Sequence, residues 1–494
     1  MPRYRGAMEI VPSTALALLA ALVIALRGPA RGLPVILAIA PFGAAAAFNL
    51  PAAGGASILV LDVVVAAAFA LVLLSPDGPG RIVGTFGRGP GLWMLGVLTI
   101  GTVSALFLPT LFAGETTTFA IARNSNGPGI VEVPLAPSNG NLTQLFRLLL
   151  GGLAFAVTAT ILRGRPDAGL VLRAMAWATA VHVALGWIDV ASWRVGLRDL
   201  LDPIRSANYS YLDHARMSGI KRMVGGFPEA SAYGGFSLLF FGFWLHLWMR
   251  GIGGRLAPVM LILATLAVLR STSSAAYVAM GVFILLYASL AASQALRRAV
   301  SEREVTIALS ALLAGWGLLV AVAAAYELVP SVTAFVDSTL IDKLSSSSGV
   351  ERMGWNGQAW QNFVDTWGLG AGLGSVRASS WLLACLGSMG LLGTALFLGF
   401  LISLARLYGG IDPARRTAVS ALLCGCAVAV IEAMLTRPTP DMGLMFFLMA
   451  GMAAGLSRGA EIAEGAAAMR PQFRRPRPIV DTAASPAVTF RTGD

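Results

Sequence analysis

The chain has 494 residues, 56% of them hydrophobic and 12% charged, with a formal net charge of +11 and a mean hydropathy of +0.74. This balance excludes a soluble globular protein of such length and defines a polytopic membrane protein. The fold expected is all-α, because a chain in lipid must satisfy its backbone hydrogen bonds internally.

Apolar stretches of the roughly 17 to 25 residues needed to cross a hydrocarbon core recur about thirteen times, giving 12–13 expected transmembrane helices. They lie near 12–26, 33–50, 56–75, 91–109, 143–163, 170–191, 230–249, 257–270, 274–296, 305–328, 378–405, 416–436 and 440–457. The first resembles a signal peptide, but no cleavage site separates it from the second, so it is expected to stay in the chain. Residues 1–457 thus form one multi-span membrane domain. Residues 458–494, rich in Pro, Ala and Arg, are expected to be a disordered basic cytoplasmic tail near anionic lipid.

Arginines at 27 and 31, at 81 and 88, at 163, 165 and 173, at 250 and 255, at 297, 298 and 303, and at 406, 415 and 416 fall in alternate short loops. The bias of short cytoplasmic loops towards Arg and Lys places them on the cytoplasmic side. Thirteen spans would then put Arg3 and Arg5 outside, unless the first stretch only lies along the membrane surface.

The other face holds three long loops, at about 110–142, 192–229 and 329–377. The second carries Arg194, Arg198, Arg205, Arg216, Lys221 and Arg222 against Asp199, Asp202, Asp213 and Glu229. So many cations on a translocated loop run against the positive-inside bias, which points to an anion outside or to ion pairs within a folded loop. Lys221 and Lys343 are the only lysines, and the planar guanidinium suits phosphate oxygens better than an ammonium does. Asp62, Arg147, Asp189 and Glu432 lie within or at the ends of spans, where an ionisable residue is a functional candidate. Arg147 and Asp189 are near the outer ends, where they could also snorkel.

In the third long loop, Val350, Met353, Trp360, Phe363, Val364 and Trp367 recur at helical spacing, predicting an amphipathic helix along the membrane surface. The run GLGAGLGS at 368–375 lacks a Walker lysine and a preceding strand, so it is expected to be a tight turn back into the membrane. Cys385, Cys424 and Cys426 are neither a disulfide framework nor a metal site. His182 and His246 are expected to pack in the bundle, and His214 beside Asp213 is a conceivable proton shuttle. No group of side chains has metal-ligand spacing.

Several motifs, in order, resemble one family: NGNLTQLFRLLL at 139–150, RMVGGFPEASAY at 222–233, RSTSSAAY at 270–277, ERMGWNGQAW at 351–360, WGLGAGLGSVR at 367–377 and GSMGLLG at 387–393. The pattern, over roughly residues 140–405, is similar to that of the O-antigen ligase and Wzy-type polysaccharide polymerase superfamily, integral membrane glycosyltransferases of the GT-C type. The resemblance implies a bacterial inner-membrane enzyme with a periplasmic active site and short helices in its large periplasmic loops. Its substrates would be undecaprenyl-pyrophosphate-linked oligosaccharide and the growing polysaccharide, its surroundings membrane lipid, and its further partners chain-length regulator and export proteins. No cofactor, metal, nucleotide sugar or nucleic acid is implied.

Arg222, Arg270 and either Arg352 or Arg377 match positions that hold the donor pyrophosphate in that family. Glu229, seven residues after Arg222, is the candidate base for the acceptor hydroxyl, or else an acid that only orients Arg222. Lys221, Arg216 and Arg147 complete the candidate substrate contacts. Ligases of the family carry a histidine after the glycine turn, and this chain has none beyond His246, so the polymerase branch is the closer resemblance. Transfer to another acceptor, as by a ligase, and a lipid-oligosaccharide flippase are the alternatives. Alternating-access transporters usually show internal repeats, and none is evident here.

Overall fold

A computed structural model describes residues 8–51, 55–124, 127–212, 214, 216–217, 220–297, 302–337 and 347–469. Arg3, Arg5, Asp213, Arg298, Lys343 and the chain beyond Met469 lie outside the described residues. The protein is 72% helical and 5% strand, an all-α polytopic membrane protein.

In chain order the elements are β1 (Glu9–Ile10), α1 (Thr14–Arg27), α2 (Pro29–Ile39), β2 (Ala46–Leu50), β3 (Ala56–Leu59), α3 (Val60–Leu73), α4 (Gly78–Phe86), α5 (Pro90–Leu111), β4 (Thr117–Asn124), β5 (Gly127–Pro134), α6 (Asn139–Gly164) and α7 (Ala168–Arg194). A 3-10 turn (Arg198–Ile204) and the strands β6 (Arg216–Met217) and β7 (Ile220–Lys221) precede α8 (Ala230–Met249), α9 (Leu256–Arg270), α10 (Ser274–Arg297), α11 (Glu302–Leu328) and α12 (Pro330–Val336). The last helices are α13 (Ser347–Asp365), α14 (Trp381–Ala405), α15 (Pro413–Thr436) and α16 (Leu444–Met469).

Among the described residues, seven helices are long and apolar enough to cross a membrane: α5, α6, α7, α8, α10, α14 and α15. Counting α3 and α4, bent by 113°, as one broken span makes eight. Several expected spans are therefore corrected. The stretch 33–50 is not one helix: α2 stops at Ile39 before Pro41 and Gly43, and the chain returns as β2, antiparallel to β1 and β3. Hydropathy alone cannot separate a buried strand from a helix. The stretch 56–75 begins as β3, and α1, α2 and α9 are shorter than a full crossing. The loop at 110–142 carries the β4–β5 hairpin instead of a helix. At the other end of the chain, α16 continues past the expected boundary at Ser457 as far as Met469.

Lipid tails are as apolar as leucine, so close packing must supply much of the cohesion between helices. The seam between α6 and α16 shows how. Gly451, Gly455 and Gly459 recur every fourth residue and lie against α6 backbone. A methyl on Gly455 would come within 2.5 Å of the Ala159 carbonyl oxygen, and one on Gly459 within 2.9 Å of the Arg163 oxygen. Phe155, Phe397, Phe400 and Phe447 fill the space beside this seam.

The three long loops gather at one end of the bundle. Thr116 donates to Asp365 at 2.7 Å and Asn362 to the Thr117 carbonyl at 2.7 Å, tying the β4 region to α13. Asn141, in the first turn of α6, donates to the Leu373 carbonyl at 2.8 Å and so fastens the glycine turn. That turn packs on α14 where Gly390 breaks the helix at φ 66°. A Cβ on Gly370 would lie 2.6 Å from the Gly390 nitrogen, so the close backbone approach requires glycine. The N-terminal segment meets the same end, with Ser13 donating to the Ala46 carbonyl at 2.6 Å and Ser206 bonded to Ala46 N at 3.0 Å.

Candidate functional site

Two buried carboxylates organise this end. Asp189, near the end of α7, accepts hydrogen bonds from Arg205 and Lys221 at 2.7 Å each and from the backbone of Val224 at 2.9 Å. The side chains of Asp189, Arg205 and Lys221 are only 3%, 4% and 6% exposed. Asp62, in the first turn of α3, is held by Arg147 through both carboxylate oxygens, at 2.9 and 2.7 Å. Arg147 also donates to the Ser57 carbonyl at 3.1 Å. Arg147 and Asp189 are thus paired with opposite charges, where the sequence left snorkelling open.

The segments carrying Arg222 and Arg270, 48 positions apart, are joined by reciprocal bonds. Arg222 donates from Nε to the Thr272 hydroxyl at 3.1 Å and from Nη2 to the Thr272 carbonyl at 3.2 Å. Arg270 donates to the Lys221 carbonyl at 2.7 Å. The link sits at the break between α9 and α10, where Thr272 has a φ of 52°. A β-branched residue in that region is strained and is held only by its surroundings. Burial draws the Arg222 guanidinium below the usual arginine range, and the Glu229 carboxylate acts in the opposite direction. Among the described residues, Nη1 of Arg222 has no protein partner.

Near this link lies a cavity of about 380 Å³, lined by Arg147, Tyr209, Glu229, Arg352, Glu432, Arg437 and Asp441 among others. Arg222 and Arg270 lie outside its lining. Glu229 stands at the N-terminus of α8, accepts a hydrogen bond from the Ser231 hydroxyl, and makes no ion pair with Arg222. Glu432, within α15, accepts from Thr436 at 2.6 Å, and a Cβ at Gly235 would approach its carboxylate to 2.9 Å. Burial raises the Tyr209 phenol above its ordinary range, with Arg147 opposing.

The remaining candidates are spread out. Arg377 lies 5.3 Å over the Trp355 ring. Arg216 is exposed and shares Trp193 with Arg198 and Lys221, at 5.5, 4.5 and 5.6 Å from the ring centre. The predicted surface helix is α13, whose Val350, Met353, Trp360 and Val364 are exposed while Ala359 and Asn362 are buried. His182 stacks on Tyr233 and bonds Ser237 at 2.7 Å. His246 meets the Tyr287 hydroxyl at 3.0 Å, and His214 lies against Trp193. The three cysteines are free.

Sequence reasoning missed Thr272, Tyr209, Arg437 and Asp441. Only Thr272 left a trace, as part of a polar RSTSS run between two apolar stretches.

Fold and site together define a membrane-embedded helical protein with a charged cavity at the end where its long loops meet. No protein-family model matches the chain, and no curated protein sequence matches it.

Proposed function

We propose that this protein is a membrane glycosyltransferase that joins undecaprenyl-pyrophosphate-linked repeat units into a cell-surface polysaccharide, as its resemblance to the O-antigen ligase and Wzy-type polymerase superfamily implies. One observation supports the reading above others. The segments that carry Arg222 and Arg270 are tied together near a cavity lined by Glu229, Arg147 and Arg352. In this reading the cavity end faces the periplasm of a bacterial inner membrane.

The acceptor hydroxyl attacks the anomeric carbon of the donor sugar, and the bond from that carbon to the pyrophosphate oxygen breaks. The electron pair leaves with undecaprenyl pyrophosphate, whose growing charge Arg222 and Arg270 stabilise as fixed donors. The hydroxyl proton passes to Glu229, which lines the cavity and acts electrostatically on Arg222, and so can serve as base to an acceptor bound there. Arg352 adds positive potential along the cavity wall, while Arg147, its charge held by Asp62, shapes that wall. Thr272 fixes the plane of the Arg222 guanidinium, leaving Nη1 for the leaving group.

Membranes supplied with lipid-linked repeat units test the reading. Wild type should make polymer in chelator and without nucleotide sugars. Arg222→Lys keeps the charge but loses the fork, and should lower the rate roughly 100-fold to 1000-fold at normal abundance. Glu229→Gln should likewise abolish polymer. Near wild-type chain length from Arg222→Lys would refute the pyrophosphate clamp.

A further inference from the structure

At the opposite end of α6 and α16 lies a second cavity, of about 170 Å³. Arg147 stands near the start of α6 and Arg163 near its end, so the two cavities are separated by roughly 24 Å of helix at 1.5 Å per residue. Three cations line the second cavity, Arg88, Arg163 and Arg458, against one carboxylate, Glu461. Glu461 is engaged by Arg458 at 2.6 Å, in a pair exposed at the mouth by 54% and 39% respectively. That leaves Arg88 and Arg163 facing the cavity without a carboxylate of their own.

Arg163 is the informative residue. Its Nη1 is buried and has no hydrogen-bond partner among the described residues. Gly84 makes room for it, since a methyl there would come within 2.6 Å of that nitrogen. A buried guanidinium nitrogen with nothing to donate to is costly. The N-terminus of α5, at Gly89 and Pro90, opens into the same space and adds the positive end of a 22-residue helix. Phe155, Ala159 and Leu407 add an apolar stretch of wall beside the hydroxyl residues Thr85 and Ser457. Charge and orphaned donor call for an anionic oxygen ligand, and the apolar stretch of wall favours one that carries hydrocarbon.

We infer that this cavity holds the phosphate headgroup of an anionic phospholipid, with Arg163 and Arg88 donating to its oxygens and the glycerol end lying along Phe155 and Leu407. Basic pockets between membrane helices bind such headgroups elsewhere. The site is separate from the glycosyl-transfer reading and does not depend on it.

The full chain, purified in phosphatidylcholine nanodiscs and titrated with phosphatidylglycerol, tests the inference by native mass spectrometry of bound lipid. Phosphatidylglycerol should be retained over phosphatidylcholine, and millimolar inorganic phosphate should not displace it. Arg163→Gln should weaken retention roughly tenfold to a hundredfold, the loss of one charge-assisted contact. Arg165→Gln, which removes a charge at the exposed end of the same helix, should leave it unchanged. Gly84→Ala keeps every charge but crowds the guanidinium, and should weaken retention even if Arg163→Gln fails to fold. Equal losses from Arg163→Gln and Arg165→Gln would reduce the effect to surface charge and overturn the site. Displacement by inorganic phosphate would make it a free-anion site, and retention unaffected by Gly84→Ala would also sink the idea.

Discussion

The loop at 192–229 and the segment at 347–377 both bring cations to the same end of the molecule, yet they use them differently. In the first, Arg205 and Lys221 are buried on Asp189 and their charge is consumed inside the fold. In the second, Arg352 lines the open cavity and Arg377 lies over Trp355 at the surface. A cation count treats the two alike, but a charge neutralised by a buried carboxylate has little field left for a ligand. Arg222 stands between the extremes, tied to Thr272 by two of its nitrogens and with a third to spare.

The largest test of this contrast is Asp189→Ala, which strands two buried cations. Removing one partner of a buried ion pair costs about 3–5 kcal/mol, so the variant should lose most of its folded yield, read by gel filtration in detergent. A normal melting temperature would place the cations of the two segments on the same footing. A smaller effect is expected of Lys221→Met, because Arg205 remains on Asp189. About 1.5–3 kcal/mol, the worth of one hydrogen bond to a charged group, should appear as a lower midpoint in thermal unfolding. The smallest belongs to Arg377→Ala, which removes one exposed stacking contact worth roughly 0.5–1 kcal/mol. Its melting temperature should scarcely move, and a fall as large as that of Lys221→Met would show that Arg377 is also structural.

Much of this was legible in the sequence. Long uniform apolar runs became α5, α6, α7 and α8, because a run of that length in lipid has little alternative to helix. The surface helix α13 was readable from the spacing of Val350, Met353, Trp360 and Val364. The span at 33–50 failed although Pro41 and Gly43 stood in its middle, since apolarity outweighed those breakers in the reading. The glycine stripe at 451, 455 and 459 was also open to a reading by spacing and went unread. The partners of Asp189 were beyond reach, because nothing local links it to Lys221, 32 positions away. Arg222 and Arg270 could be named from motif order, but the bonds from Arg222 to Thr272 and from Arg270 to the Lys221 carbonyl could not.

The α6–α16 seam has a consequence for temperature. Contacts driven by release of water weaken on cooling, because apolar hydration carries a large heat capacity. Where Gly451, Gly455 and Gly459 meet the backbone of α6, lipid and not water is displaced, and attraction between closely fitted atoms supplies the cohesion. That seam should therefore hold its strength in the cold, while the water-facing loops that build the charged cavity loosen first.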